Sequence, residues 1–578
     1  MRYLALACDY DGTLAAEGRV APETVEALER VRASGRRLLM VTGRELDDLL
    51  AVFTHVPLFD CIVAENGAVL YHPADQQTTL LTTPPPEAFV QTLRARGVSP
   101  LSIGRVIVAT WQPQEIPVIE VIRDLGLELQ VTFNKGAVMV LPAGVTKATG
   151  LAAALRTLGL SSHNLVGVGD AENDHAFLRL CECAVAVANA LPMVQDGADL
   201  VTQGANGAGV QELIERLLVS DLADLEPHLT RHHILLGTRE DGQEVSVSPY
   251  GGPILLAGTS GSGKSTLATG FLERLIEAGY QCCILDPEGD YDTFEGAVVL
   301  GDRQRAPTVA EALRLLEPPD QHLVVNALGL PMQDRSSFFS GFLAQLQELR
   351  ARTGRPHWLV ADEAHHLLPA AWLPAAPAAS AALPGLLLIT VHPDQIAPAA
   401  LAAVHLIIAV GAAPERTIAS FSKALGQSPP VTTPVTLEPG EALVWPRRLN
   451  SHPFRLRSAQ GRTERRRHQR KYAEGELGAD KSFYFRGPDG VLNLQAQNLI
   501  LFIQLADGVD DATWRYHLRR GDYSRWFRDA LKDEGLATHA AQIEALSDLP
   551  ARTSRAMIRD AIEQRYTLPV REDFTAQG

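Results

Sequence analysis

The chain has 578 residues, 46% of them apolar and 21% charged, with a formal net charge of -16. At roughly 150 residues per domain it has room for three or four domains, and its composition excludes a disordered chain. Its acidity argues against a protein that coats nucleic acid over its whole surface. The six cysteines, at positions 8, 61, 181, 183, 282 and 283, form no C-x-x-C pair, and no signal peptide precedes the first apolar run. Reduced thiols in a cytoplasmic protein are therefore expected, not a disulfide framework or a zinc site. Leu367 to Val391 carries no charge but contains Pro369, Pro374, Pro377 and Pro384. Four prolines are too many for a bilayer helix, so no membrane span is expected.

The apolar run Tyr3 to Cys8 ends in Asp9-Tyr10-Asp11-Gly12-Thr13, two carboxylates one residue apart before a glycine turn. Taken alone, this also suits a strand running into a solvated turn. An amphipathic helix over Pro22–Arg32 follows, then buried strands Arg37–Val41, ending in Thr42-Gly43-Arg44, and Cys61–Ala64, ending in Glu65-Asn66-Gly67. Strand, helix, strand with polar residues at each strand end is the doubly wound α/β pattern, whose ligands sit at the C-terminal strand ends. A small α+β insert over about 84–145 interrupts it. The pattern resumes with Lys147, a helix to Leu158, and the strand Asn164–Val168, which ends in Gly169-Asp170-Ala171-Glu172-Asn173-Asp174.

D-x-D-G-T, T-G-R, a lone lysine and G-D-x-x-N-D, in this order, resemble the four motifs of the haloacid dehalogenase (HAD) superfamily. The insert resembles its C2-type cap, and Asn66-Gly67-Ala68 with Val185–Ala190 resembles the Cof-type, or IIB, branch. The resemblance implies that Asp9 is the nucleophile forming an aspartyl-phosphate and Asp11 the general acid and base. It implies that Thr42 and Lys147 hold the phosphoryl oxygens. Asp9, the Asp11 main chain and Asp170 would bind Mg²⁺, with Asn173 and Asp174 orienting the site. An acid at position 11 favours phosphate esters over dehalogenation. A short cap implies a small phosphorylated metabolite, a sugar phosphate or a phospho-acid such as phosphoglycolate. Arg105, Trp111, Asn134 and Lys135 are the cap residues expected to contact it.

Asp221 to His233 reads as a polar connector, followed by a hairpin around Asp241-Gly242. Gly258-Thr259-Ser260-Gly261-Ser262-Gly263-Lys264-Ser265 then lies between an apolar strand and a helix from Thr266. This is a complete P-loop. Gly258, Gly261 and Gly263 let backbone N–H groups cradle the phosphates of Mg-ATP, Lys264 reaches the β/γ oxygens, Ser265 ligates Mg²⁺, and Thr266 opens the helix. Trp358–Ala361 followed by Asp362-Glu363 reads as Walker B, with Asp362 on the metal and Glu363 polarising water for hydrolysis. The strands around them suit the RecA-like division. Asp286-Pro287-Glu288-Gly289-Asp290-Tyr291 resembles HerA/FtsK-type motor ATPases, which usually work as hexamers on DNA or polypeptide. From that resemblance Arg416 is a candidate arginine finger, and His392 and Gln395 are candidate phosphate sensors.

Arg455 to Lys471 carries eight basic residues and one acid, and reads as a solvated linker or a phosphate-binding strip for nucleic acid. From Leu492 the pattern is helical, with an aromatic core that includes Phe502, Trp514, Trp526 and Phe527, similar to a small helical domain of other bacterial proteins. Three domains are expected: a doubly wound HAD phosphatase (1–220, cap about 84–145), a RecA-like P-loop α/β ATPase (228–455), and a basic linker with a mostly helical domain (456–578). The alternatives are a nucleic-acid-handling ring ATPase, for which a homo-oligomer is the expected state, with an accessory phosphatase, and a polynucleotide kinase–phosphatase.

Overall fold

Ala5–Cys8 is buried throughout and pairs in parallel on both sides, with Leu165–Gly169 and with Arg37–Val41. A strand covered on both faces must be apolar along its length, and the sequence Ala-Leu-Ala-Cys meets that demand. The computed structural model describes residues 1–259, 262–292, 294–372, 384–432, 434–447, 452–459, 461, 482–490, 492–531, 533–546 and 549–565.

The first sheet continues from Arg37–Val41 to Cys61–Ala64 on one side and from Leu165–Gly169 to Cys183–Ala186 and Leu200–Val201 on the other. All these pairings are parallel. An antiparallel hairpin, Val69–His72 with Gln77–Leu80, extends one edge. The helices Pro22–Ala33, Lys147–Leu158 and Asn206–Ser220 cover its faces. The insert is a separate layer. Helices Glu87–Ala95 and Glu115–Asp124 pack on a four-stranded antiparallel sheet, ordered Ser102–Ile103, Val108–Trp111, Ala137–Pro142, Leu129–Asn134. Phe89, Leu93, Val118, Val121 and Val140 form its own small core.

The second sheet has eleven strands. Its parallel part runs Leu406–Val410, Ile254–Gly258, Leu386–Thr390, Trp358–Ala361, Cys282–Asp286, His322–Asn326, Ala297–Leu300. One strand therefore separates the P-loop strand from the Walker B strand, as the RecA-like reading requires. Glu441–Pro446, Phe454–Ser458, Ile234–Arg239 and Glu244–Val247 add an antiparallel flank.

Met1–Ala459 form one compact unit and Gln460–Gly578 a second. Among the described residues of the second unit, the first element is a hairpin, Phe483–Phe485 against Leu494–Ala496, so the helical pattern expected from Leu492 begins only at Leu499. Its core stacks Phe483, Phe485, Phe502, Trp514, Tyr523 and Trp526, and Trp514 Nε1 donates to Ser554 Oγ over 2.9 Å. His517 is buried as an acceptor for the Arg486 N–H, a packing role.

Two other expectations are corrected. The polar connector 221–233 is packed against the first sheet: Leu222, Leu225 and Leu229 are buried in its core. Arg231 clasps the carbonyls of Arg179 and Cys181 and the Asp199 carboxylate, at 2.7–2.9 Å. Leucines spaced three and four apart supply the apolar side, which the intervening acids mask in the sequence. The start of the basic run is a strand, in which Arg455 pairs with Glu441 at 2.5 Å and with Glu240 at 3.2 Å. Gln460 and 462–471 lie outside the described residues, as do 373–383 of the Ala/Pro segment. Among the described residues no helix is long and apolar enough to cross a membrane.

Candidate active sites

Three strand or helix ends converge beneath the insert. Asp9 follows Ala5–Cys8, Asp170 follows Leu165–Gly169, and Lys147 opens a helix capped by Thr146, whose hydroxyl accepts the Thr149 N–H. Lys147 Nζ lies 2.6 Å from Asp9 Oδ1 and 2.5 Å from Asp174 Oδ1, and all three side chains are buried. The other Asp174 oxygen accepts the N–H groups of Asp170 and Ala171, at 2.8 and 2.9 Å. Thr13 donates to Asp170 over 3.1 Å, and Asn173 to Asn66 over 3.0 Å. Thr42 is fully buried at the end of Arg37–Val41, and its hydroxyl accepts the Arg44 N–H at 3.1 Å.

Gly12, at φ +84°, makes this approach feasible: a Cβ there would collide with the Asp170 carboxylate. Gly67, at φ +104°, does the same for the loop after Cys61–Ala64, where a Cβ would run into the Thr146 carbonyl and displace the Lys147 helix.

Burial and the facing Asp174 push the Asp9 carboxyl well above the usual carboxylate range, against the pull of Lys147. Burial likewise raises Asp170, offset by Lys135. Burial pulls the Lys147 ammonium down, but Asp174 and Asp9 outweigh it and hold it above the ordinary lysine range. Asp9, Asp170 and Asp174 bring their oxygens within 4.8 Å of one another. With every group ionised, two ammoniums face three carboxylates and one negative charge is left over, the charge that burial works against. The buried Oδ1 of Asn173 has no hydrogen-bond partner among the described residues. This donor set is all oxygen, acidic and electrostatically underfilled, which fits Mg²⁺.

The insert contributes one side chain directly. Lys135, at φ +48° on the turn between Leu129–Asn134 and Ala137–Pro142, reaches down to ion-pair with Asp170. Beside it, the buried Asn134 Oδ1 is unpartnered among the described residues. The other two cap candidates are not brought to the site: Arg105 pairs with Asp47 at 2.8 Å, and Trp111 is 55% exposed.

Asp11 is turned outward. Its carboxylate receives Arg44 Nε and Nη2 at 2.6 and 2.8 Å, a two-pronged grip that sequence reading missed. Glu65 was missed too. It is fully buried at φ +52°, and its carboxylate accepts the N–H groups of Arg105, Val106 and Ile107 at 2.7–2.9 Å, fastening the insert to the sheet. The only signal in the sequence was a glutamate after a buried strand.

In the second sheet, Gly258 ends the P-loop strand and Gly263, at φ +93°, precedes the helix Lys264–Glu277, which begins two residues before Thr266. Lys264 Nζ is folded back on the carbonyls of Gly258 and Thr259, at 2.9 and 3.0 Å. Ser265 is exposed and Thr266 half-buried in the first helical turn; Gly261 lies outside the described residues. Asp362 is buried, and burial with the adjacent Glu363 pushes its carboxyl up to about 7. The Ser265 hydroxyl and the Asp362 carboxylate are oxygen donors of the kind that Mg²⁺ takes with a nucleotide.

Glu363 stands at φ +40°, a left-handed conformation that costs on the order of 1–3 kcal/mol in a non-glycine residue. Burial pushes its carboxyl up, and His365 Nδ1 is 3.4 Å away. Asp286 organises the following loop by accepting the N–H groups of Glu288, Gly289 and Tyr291, at 2.7–3.1 Å. His392 stacks edge-on to His365 with centroids 5.4 Å apart, while Gln395 and Arg416 are exposed.

Residues 6–96 and 118–214 match the haloacid dehalogenase-like hydrolase family, and residues 254–353 match the central domain of the HerA helicase. A phosphoglycolate phosphatase of Methanothermobacter thermautotrophicus is 31% identical over 222 residues, spanning 37% of this chain and 98% of that protein. Phosphoglycolate phosphatase 2 of Saccharolobus solfataricus is 29% identical over 227 residues, spanning 37% of this chain and 92% of that protein. A solved haloacid dehalogenase-like hydrolase from Bacteroides thetaiotaomicron aligns over 37% of this chain and 99% of its own at 20% identity, with a TM-score of 0.34. The chain belongs to the haloacid dehalogenase-like hydrolases, as a phosphatase fused to a HerA-type P-loop ATPase domain.

Proposed function

We propose that the first half of the chain hydrolyses a small phosphate monoester that bears a second anionic group, of the phosphoglycolate type, through an aspartyl-phosphate on Asp9. The observation that carries this reading is Lys135. A cation delivered by the cap onto the rim of the carboxylate cluster suits a substrate with a second negative group beside its phosphate. The relatives described as phosphoglycolate phosphatases support the same class.

Mg²⁺, held by Asp9, the Asp11 carbonyl and Asp170 with Asp174 behind them, would screen charge between nucleophile and phosphate. Asp9 attacks phosphorus and the bond to the leaving oxygen breaks. Asp11, released from Arg44 by rotation of its side chain, gives that oxygen its proton. Asp11 then takes a proton from water, which attacks the aspartyl-phosphate and frees phosphate and Asp9. Lys147 and Thr42 hold the phosphoryl oxygens during both steps, and the Lys147 ammonium opposes the burial and the Asp174 charge that favour a protonated Asp9. The cap, fastened through Glu65, excludes bulk water from the leaving group.

The P-loop half binds Mg-ATP through Gly258, Gly261, Gly263, Lys264, Ser265, Thr266 and Asp362, and Glu363 polarises the attacking water. A nucleic-acid-handling ring is the second reading, favoured by the match to the HerA central domain. It requires ATP hydrolysis stimulated by DNA and a ring-sized particle. A polynucleotide kinase–phosphatase is disfavoured by Glu363 and by the cap over Asp9.

The test is turnover of a panel of phosphate esters that includes phosphoglycolate, sugar phosphates and p-nitrophenyl phosphate. Hydrolysis of at least one two-anion ester, lost on Mg²⁺ chelation and in Asp9→Asn, is expected. A panel that is wholly inert while ATP turns over would overturn the reading.

A further inference from the structure

Both chemistries leave one buried polar cluster unused, and it lies where the two halves of the Met1–Ala459 unit meet. His163 Nδ1 is 2.6 Å from Glu182 Oε2, and His163 Nε2 is 2.7 Å from the Ala278 carbonyl oxygen. Both neighbours offer lone pairs, so this geometry is satisfied when both ring nitrogens donate. Arg2 Nη2 donates to the other Glu182 oxygen at 2.7 Å, and the Tyr280 hydroxyl donates to Oε2 at 3.0 Å. The Tyr280 ring stacks on His163 with centroids 3.7 Å apart, and the Tyr250 hydroxyl donates to the His163 carbonyl at 2.8 Å.

His163, Glu182 and His232 are near enough to surround a cation. With both His163 nitrogens donating and Arg2 already on Glu182, the site is an ion pair, not a metal centre. Gly279, at φ +83°, allows the contact: a Cβ there would stand 3.2 Å from His163 Nε2.

Position gives the cluster its meaning. His163-Asn164 leads into Leu165–Gly169, the strand that delivers Asp170, and Glu182 leads into Cys183–Ala186. On the other side Tyr280-Gln281 leads into Cys282–Asp286, and Arg355, which donates to the Gly159 carbonyl at 3.1 Å, leads through His357 into the Walker B strand. The two sheets thus meet at the starts of their strands, and each set of strands runs away from the joint to its own site.

The helix Lys264–Glu277 runs back. Its first residue is the P-loop lysine, and the residue after its last, Ala278, holds His163. Fourteen residues of helix reach roughly 20 Å. Lys264 is now folded onto the P-loop carbonyls, and nucleotide phosphates would draw it off them, readjusting the first turn. A buried ion pair with every oxygen engaged has little slack to absorb a shift at the far end of that helix.

We propose that this joint couples the two sites, so that nucleotide bound at the P-loop changes phosphatase turnover through Ala278, His163 and the strand carrying Asp170. The inference rests on the phosphatase reading above. The test uses the full chain with a non-hydrolysable ATP analogue and Mg²⁺, measuring phosphatase kcat/KM and hydrogen exchange in parallel.

The analogue is expected to change kcat/KM on the order of fivefold in the wild type, within the usual range for coupled sites. It should have no effect in Lys264→Ala. In Glu182→Gln and in the milder Tyr280→Phe the change should shrink to less than about twofold, while turnover without nucleotide is kept. If Glu182→Gln does not fold, Tyr280→Phe decides. A wild type indifferent to the analogue, or variants that keep the full response, would overturn the coupling. Hydrogen exchange over residues 163–169 should respond to the analogue whether or not a substrate is found. Absence of that response refutes the joint, whereas a response without any phosphatase turnover refutes only the phosphatase reading.

Discussion

Lys147 Nζ lies 2.6 Å from Asp9 Oδ1, with the lysine side chain 1% and the aspartate side chain 5% exposed. Removing either partner has unequal consequences. Lys147→Met leaves Asp9 and Asp174 buried without their shared cation, a change worth about 3–5 kcal/mol of destabilisation when a buried pair is broken. Asp9→Asn leaves Lys147 paired with Asp174 and is expected to cost far less stability, while turnover falls by roughly 10³-fold or more. Denaturant unfolding in chelator, alongside phosphatase rates, checks both. Equal stability losses would show that Lys147 is not the centre of this cluster.

Lys135 touches only Asp170 among the site carboxylates, and its side chain is 45% exposed. Lys135→Met is expected to lower kcat/KM for two-anion esters by about 10- to 100-fold, the worth of a charged hydrogen bond. The rate with p-nitrophenyl phosphate, which has no second anion, should change little. An equal loss on both substrates would assign Lys135 to the metal and phosphate instead of to the leaving group.

Burial alone would raise the Glu182 carboxyl. The hydrogen bond from His163, followed by the charges of His163, His232 and Arg2, outweighs burial and brings it down to about 2 from 4.5. A depressed carboxylate stabilises the fold above its unfolded value and loses that contribution as pH falls through the folded one. The stability gap between wild type and Glu182→Gln should therefore be full above about pH 4.5 and close toward about pH 2. Unfolding free energies across that window check the sign; a gap that widens on acidification would contradict the ion pair.

Glu363 sits at φ +40° directly after Asp362. Glu363→Gln keeps the shape and removes the base, so ATP hydrolysis is expected to fall about 10²-fold or more with nucleotide affinity retained. Joint loss of binding and hydrolysis would make Glu363 a binding residue.

The parts legible in the sequence are those built within one segment. A buried parallel strand has to be apolar and then stop, so Asp9, Asp170 and Asp362 announced themselves at the ends of Ala5–Cys8, Leu165–Gly169 and Trp358–Ala361. What escaped is built between segments. Arg44 on Asp11, Glu65 on the cap backbone, and His163 against Glu182 and Ala278 pair residues far apart in the chain. Each is a charged or polar residue that would read as surface, because a buried charge differs from a solvated one only in the partner that compensates it. The packed connector escaped for a related reason. Leu222, Leu225 and Leu229 are diluted by Asp224, Glu226 and His228, and only the neighbouring core shows which face is buried.

The nucleophile itself gives the most direct measurement. Asp11→Asn should slow the second step, since no base remains to activate water, without removing Asp9. After quenching in acid during turnover of an activated ester, the peptide containing Asp9 is expected to carry the mass of one phosphoryl group. That mass should be absent in the Asp9→Asn, Asp11→Asn double variant. Phosphorylation of another residue, or turnover of phosphate esters by Asp9→Asn, would contradict the account.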